Sequence, residues 1–412
     1  MAVGVAFDIG TTTIVGSARE SAGSKPLGVR SLPNPQAEWG GDVLSRVRAV
    51  TDDPALLEKL RDAVVGACDG IVKELAGTEE VEEITAAGNT VMEHLLLGVS
   101  PAPLSKVPYR PVFKEARRMK AREAGFSSGP ETTLYTFPMI GGFIGGDAVA
   151  VALALGLKGG GTAGTVLAID IGTNSELLLS TPDGLFAASA AAGPAFEGGE
   201  LKHGMTAQSG AIEGVRVEED RVTLDVIGQV APRGICGSGL VDAAAALLLA
   251  GVIDHSGRIK DSEEVQTNLS TGIRKDKEGN AFVLFRGGAG EVTLSQPDVR
   301  ALQVAKAAIR AGMTILLGKA GVAPEAIEKV YIAGAFGSNL KEDSLAAIGL
   351  IDGAWLGKIE FVGDAALKGA EAVLLSDERK AEAEDIARTA KYVPLSGNPR
   401  FEGEFISNMN FS

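Results

Sequence analysis

Residues 2–16 read AVGVAFDIGTTTIVG and residues 164–178 read GTVLAIDIGTNSELL. In each, an apolar run rich in strand formers ends on Asp-Ile-Gly-Thr and a second apolar run follows, which predicts a β-hairpin with a glycine turn. The likeness continues downstream. A helical stretch (54–75) and a short strand (81–90) closing on Ala-Gly-Asn follow the first copy, and a helical stretch (297–319) and a strand (328–339) closing on Ala-Gly follow the second. Repetition of a whole element order predicts a duplicated α/β protein, with the extra length of the second half inserted near 190–296. The expected organisation is a first lobe over 1–155, a second over 156–345, and C-terminal helices with a tail (346–412) packing back on the body.

Composition bounds the partners. The chain has 412 residues, 45% of them hydrophobic, ample for two lobes with cores of their own. With 39 Lys and Arg against 53 Asp and Glu the net charge is −14. Such a chain repels phosphate backbones and anionic lipid, and no local basic patch was evident to compensate, so neither nucleic acid nor a membrane surface is an expected partner. Its two cysteines, Cys68 and Cys236, are too few for an iron-sulfur cluster. The N-terminal residues lack the pattern of a secretory signal, which points to a cytoplasmic location. Residues 139–157 are long and apolar enough to span a bilayer, but four glycines in the first half and Asp147 at the middle favour a buried turn feeding a helix. The polar stretches 114–131 and 255–280 read as surface loops.

Several turns have the residues for phosphate chemistry. Gly10 lets the backbone approach a ligand, the N–H groups around it form an anion-binding concavity, and Thr11, Thr12 and Thr13 add hydroxyl donors. Gly172, Thr173 and Asn174 offer the same tools in the second copy, so two such turns are expected to grip a polyphosphate. Asp8 and Asp170 end apolar strands, where an unpaired carboxylate is costly to bury; they are the candidate metal ligands, for Mg²⁺ held together with phosphates, the alternative being that each caps its own turn. The turn Gly334, Ala335, Phe336 ends a strand of the second half, where open sheets bind ligands, and is a candidate base or ribose contact. Gly237 and Gly239 belong to GICGSGLVD (234–242), either a nucleotide loop or simply a helix start. The catalytic candidates are Asp170 for metal, and Glu176 and Glu197 for positioning water or metal; Asp147 is equally readable as a helix cap. The three histidines form no metal pattern, and no GxSxG elbow is present.

The combination of two DIGT turns in duplicated halves with a late Ala-Gly turn resembles the acetate and sugar kinase, actin and chaperone ATPase (ASKHA) superfamily. More narrowly, Asn34-Pro35-Gln36, GDVLSR (41–46), AGNT (87–90), PYRP (108–111), AGPAFEG (192–198), GICGSGL (234–240) and AGAFG (333–337) resemble the ATPase part of the reductive activators of corrinoid proteins. The resemblance covers essentially the whole chain. It implies two ribonuclease-H-like lobes around a nucleotide cleft, ATP and Mg²⁺ as cofactors, a corrinoid protein as partner, and slow hydrolysis coupled to raising Co(II) to Co(I). A homodimer is also implied. Members of that family usually carry an N-terminal ferredoxin-like domain with an iron-sulfur cluster, which has no counterpart in this sequence; the expectation is that the chain is the ATPase part, or that it works with a separate electron donor or without electron transfer. Two rival readings stand beside it, a small-molecule kinase of the same superfamily and a chaperone-like reactivating factor for a cobalamin enzyme.

Overall fold

The computed structural model describes residues 2–21, 25–160, 164–288, 290–334 and 340–411. The first six-stranded sheet contains β1 (Ala2–Ile9), β2 (Thr13–Glu20), β3 (Pro26–Pro33), β4 (Glu80–Gly88), β5 (Arg117–Lys120) and β6 (Thr133–Thr136), in the order β3-β2-β1-β4-β6-β5. β1 pairs antiparallel with β2 through the expected hairpin and parallel with β4. The last six residues of β4 are all buried, as befits a strand in the middle of a sheet. The accompanying helices are α1 (Val43–Asp52), α2 (Leu56–Ala76), α3 (Thr90–Leu96) and α4 (Gly146–Ala154).

The second copy repeats this plan. Strands β7 (Val166–Asp170), β8 (Asn174–Thr181) and β9 (Gly184–Ala191) form the meander; β10 (Ala211–Glu218), β11 (Arg221–Val226), β12 (Gly234–Ile235), β13 (Ile273–Asp276), β14 (Gly279–Gly287) and β15 (Gly290–Ser295) build two three-stranded sheets in the expected insertion; β16 (Lys329–Ala333) and β17 (Ile359–Gly363) complete the main sheet. The order β9-β8-β7-β16-β17 matches β3-β2-β1-β4-β6, and β16 lies parallel to β7 as β4 lies to β1. The helices are α5 (Gly237–Leu249), α6 (Gln296–Ala320), α7 (Glu342–Ala347), α8 (Ala365–Val373) and α9 (Asp377–Thr389); the short β18 (Lys391–Tyr392) and α10 (Phe401–Ser407) end the chain.

By contacts the chain divides into unit 1 (1–164, 178–187 and 364–393) and unit 2 (165–177, 188–363 and 394–412). The segment after 345 is therefore shared, with α8 and α9 in unit 1 and α10 in unit 2. Local signals explain the element ends. Asp42 and Ser45 form a capping box at the start of α1, Ser295 and Asp298 do so at α6, and α6 stops at Gly321 in the left-handed conformation. The apolar stretch 139–157 is a buried turn followed by the nine-residue α4. Among the described residues α6 is the one helix long and apolar enough to cross a membrane, and 72% of its most apolar window is buried in the protein.

Two sequence expectations need correction. Residues 114–131 are not all loop: β5 lies within them and pairs with β6, and β13 lies within 255–280. Neither strand announced itself by apolar alternation, because both carry charged side chains at exposed positions. The chain also has a local basic stretch, seven Lys or Arg against Glu115 over residues 106–122. It is partly neutralised, Arg118 by Asp377 and Glu384 and Lys120 by Glu131.

His94 of α3 is a core residue. Its Nδ1–H donates to the Thr90 carbonyl at 2.6 Å, its Nε2 accepts from the Val112 N–H at 3.0 Å, and the ring stacks on Phe113. Burial pushes its pKa down to about 4. The unfolded chain therefore binds a proton at His94 between about pH 6.5 and 4 that the folded chain does not, so this stabilisation is present above that window and lost as pH falls through it. Urea denaturation should show the wild type losing up to about 3 kcal/mol more than His94→Gln between pH 7 and 4; parallel pH profiles would contradict this reading.

Candidate functional site

In unit 1 the turn after β1 is held from behind by side chains. Gly10 is required there, since a Cβ would stand 2.7 Å from the Thr13 carbonyl oxygen. Asn34 donates from Nδ2 to the Gly10 carbonyl at 2.9 Å, while its backbone N–H donates to the Thr12 carbonyl at 2.8 Å. Asn89 donates to Thr11 Oγ1 at 3.0 Å and caps α3 through Oδ1, which accepts from the N–H groups of Val91 and Met92. Arg46, fully buried on α1, donates to the Thr11 carbonyl at 2.6 Å, the Gly40 carbonyl at 2.9 Å and Gln36 Oε1 at 3.1 Å.

Arg46 makes no ion pair among the described residues. Burial lowers its pKa to about 10, with Asp42 opposing, so it stays protonated at neutral pH. A buried cation satisfied by carbonyl and amide oxygens leaves a positive field beneath the turn, which favours an anion above it. Thr11 faces inward and is buried; Thr12 and Thr13 are half-buried. Asp8 lies beside Ala87 in the parallel pairing of β1 with β4, one residue before the turn.

Unit 2 reproduces the arrangement with different side chains. Asp170 stands beside Ala333 in the pairing of β7 with β16, as Asp8 stands beside Ala87. The Ile171 N–H donates to the Ala333 carbonyl, and Gly334, at φ +120°, donates to the Gly363 carbonyl. The second turn is clamped by Glu197: Oε1 accepts from the Thr173 N–H at 2.6 Å and from Thr173 Oγ1 at 2.8 Å. One oxygen of Glu197 is thus committed to the turn. Glu176 is buried on β8 and accepts from Ser189 Oγ at 3.2 Å. Gly172 and Asn174 flank Thr173 and are half-buried.

Gly237 and Gly239 sit in the first turn of α5. The Gly239 position is set by packing, because a Cβ there would stand 2.0 Å from the Ile212 carbonyl oxygen of β10. Asp242, also buried, pairs with Lys341 through Oδ2. A cavity of about 720 Å³ opens beside Lys341, lined also by Leu340, Gly214 and Gln229. Ala335 and Phe336 lie outside the described residues. No group of three His, Cys, Asp or Glu side chains among the described residues is placed to hold a metal ion.

The structure adds residues to which the sequence reading assigned no role: Asn34, Arg46 and Asn89 all serve the first turn. Arg46 had a signal, since Val43, Arg46, Val47 and Val50 fall on one helical face and place an arginine in an apolar stripe. Replacing it by Met keeps the bulk and removes the donors, leaving the Thr11 carbonyl and Gln36 Oε1 unpaired. Arg46→Met should lower stability in urea by about 1–3 kcal/mol, and Arg46→Lys, which cannot reproduce the fork, should recover only a minor part. Full recovery by Lys would show that the planar geometry is immaterial.

Residues 164–412 match the model described as the C-terminal domain of RACo, the ASKHA domain, and residues 3–159 match the RACo middle region. The corrinoid activation enzyme RamQ of Eubacterium limosum is 33% identical over 99% of this chain and 70% of its own length. A [Co(II) methylated amine-specific corrinoid protein] reductase of Methanosarcina barkeri is 26% identical over 60% of this chain and 46% of its own. The solved structure of a reductive activator for corrinoid, iron-sulfur protein superposes with a TM-score of 0.92 at 37% identity, covering all of this chain and 66% of that one. The chain thus spans between about half and seven-tenths of these relatives' lengths. The fold, the duplicated turns and these matches together place the chain in the RACo family of corrinoid-protein activators, of which it carries the middle region and the C-terminal ASKHA domain.

Proposed function

We propose that the chain is a cytoplasmic, Mg²⁺-dependent ATPase whose nucleotide cycle drives activation of a corrinoid protein from Co(II) to Co(I). The observation that carries this reading is the buried Arg46 held on the Thr11 carbonyl, a positive charge built in behind a glycine turn of the type that receives phosphate. Thr12 and Thr13 of the first turn, and Gly172, Thr173 and Asn174 of the second, are the proposed phosphate contacts. Gly237 and the strand-end Gly334, with Ala335 and Phe336, remain proposed for the nucleoside side, and the cavity beside Lys341 is of nucleoside size.

The donor set suits Mg²⁺. Asp8 and Asp170 are single carboxylates at strand ends, and Mg²⁺ keeps several waters and completes its shell with phosphate oxygens, so a three-residue protein cage is unnecessary. The ion supplies charge neutralisation at the phosphates. Glu176, Glu197 and Asp147 are the carboxylates proposed to position water. Burial raises Asp147 to about 6, so hydrolysis that needs it ionised should rise with pH through that value.

Nucleotide contacts that differ between two states of the activator would bias the state of a bound partner, and ATP hydrolysis to ADP and phosphate supplies the free energy. Reduction of Co(II) to Co(I) takes one electron. These 412 residues hold two cysteines, both buried, so the electron comes from a donor outside them. The names of the relatives favour a corrinoid protein as partner. A homodimer is the proposed assembly.

The test is reduction of a corrinoid protein's Co(II) by an added low-potential donor, followed by absorbance with and without the chain and Mg·ATP. Acceleration only when both are present supports the reading. A phosphorylated small molecule formed instead would make the chain a kinase, and altered affinity for a cobalamin enzyme without reduction would make it a reactivating factor. Asp170→Ala should abolish Mg·ATP turnover while circular dichroism stays unchanged; unaltered turnover would remove Asp170 from the site.

A further inference from the structure

Glu93, in α3 of unit 1, is a completely buried carboxyl group to which the reaction proposed above gives no task. Its two oxygens face the backbone of Gly88 and Gly146, yet neither makes a hydrogen bond of normal geometry within the protein. The surroundings are closed by main chain. A Cβ on Gly146 would stand 2.0 Å from Glu93 Oε1, and one on Gly145 would stand 2.4 Å from both the Gly88 carbonyl oxygen and the Thr90 nitrogen. The turn between β4 and α3 therefore touches the first turn of α4 backbone to backbone, with the Glu93 carboxyl at the seam. Both glycines are dictated by this approach.

Asp147 begins α4 at the same seam. Gly145, the N-cap of α4, offers no side chain, and Asp147 Oδ1 accepts from the Ala148 N–H at 2.7 Å. Glu93 is fully buried and Asp147 half-buried, and the charge of one opposes ionisation of the other. Burial, and then the charge of Asp147, hold Glu93 far above the usual carboxylate range, while Asp147 rises only to about 6. The remaining titratable neighbours do not supply a counter-charge. Tyr135 of β6 is itself pushed up by burial, Lys380 of α9 is already paired with Glu83 of β4, and the His94 ring is neutral and engaged with Thr90 and Val112. The seam also connects to the phosphate turn, because Asn89, which holds Thr11, opens the helix that carries Glu93.

We propose that Glu93 is a positioning residue for Asp147: a carboxyl that stays neutral, is wedged against the N-terminus of α4, and leaves Asp147 to carry the single negative charge of the pair. The catalytic part of this assignment rests on the ATPase reading; the charge assignment does not. Asp147 is then the group that orients water, and Glu93 acts only through it.

The experiment is an infrared pH titration of the full chain combined with the pH profile of Mg·ATP hydrolysis, for the wild type, Glu93→Gln and Asp147→Asn. At neutral pH the wild type should show the carbonyl stretch of a protonated carboxylic acid, and Glu93→Gln should lack it. In Asp147→Asn the same band should titrate at least about one pH unit lower, since the neighbouring charge that opposed ionisation is gone. The acid limb of hydrolysis should keep its midpoint within about 0.3 unit in Glu93→Gln, because the amide is as neutral as the acid it replaces. A band that survives Glu93→Gln, or a midpoint that stays put in Asp147→Asn, overturns the proposal. So does an acid limb displaced by about one unit in Glu93→Gln. A wild type that hydrolyses no ATP would sink the ATPase reading, while the infrared results would still decide the charge of the pair.

Discussion

A buried guanidinium that pairs with no carboxylate among the described residues is the constraint around which the first hairpin is organised. Arg46 sits in an apolar stripe of α1, and an arginine there is tolerable only if its N–H groups all find oxygen. Three oxygens meet it: the carbonyl of Gly40, the side chain of Gln36 and the carbonyl of Thr11. The last of these fixes the turn. Asn34 and Asn89 take up the Gly10 carbonyl and the Thr11 hydroxyl, so the peptide groups of the turn are pinned from behind. A preorganised turn can receive an anion without having to reorganise when it arrives, which is the condition for strong electrostatic binding in a restricted space.

The second copy achieves the same end with the opposite charge. Glu197 accepts from both the N–H and the hydroxyl of Thr173, so an anion, rather than a cation, holds that turn. The two halves keep the strand register and the Ala-Gly at the end of the neighbouring parallel strand, but not the chemistry behind the turn. Duplication has preserved the backbone geometry while the supporting side chains diverged. The asymmetry lies in the charge behind each turn: a guanidinium at the first, a carboxyl group at the second.

Much of this was legible in the sequence because it rests on periodicity and on glycine. The two DIGT hairpins, the parallel strands ending on Ala-Gly, and helices α2, α5 and α6 all follow from apolar patterning and turn chemistry. Less legible were the short charged strands β5 and β13, whose pairing depends on a neighbouring strand and not on their own side chains. Glu197 was singled out as an acid in a glycine loop, but only the three-dimensional placement shows that it clamps Thr173. Glu93 could not have been found: nothing in TVMEHLL (90–96) distinguishes a solvent-facing glutamate from one closed in by the glycines of α4, more than fifty residues away. The roles of Gly145 and Gly239 are also matters of packing, since the space a Cβ would need belongs to main chain from other elements.

The account stands on the claim that these turns bind a nucleotide with its metal. Calorimetric titration of the chain with Mg·ATP and Mg·ADP, with phosphate release followed in the same samples, tests that claim most directly. Binding at micromolar concentrations with slow release of phosphate is the predicted result. Failure of both nucleotides to bind, in a chain shown to be folded, would contradict it and leave the turns as structural features of the fold.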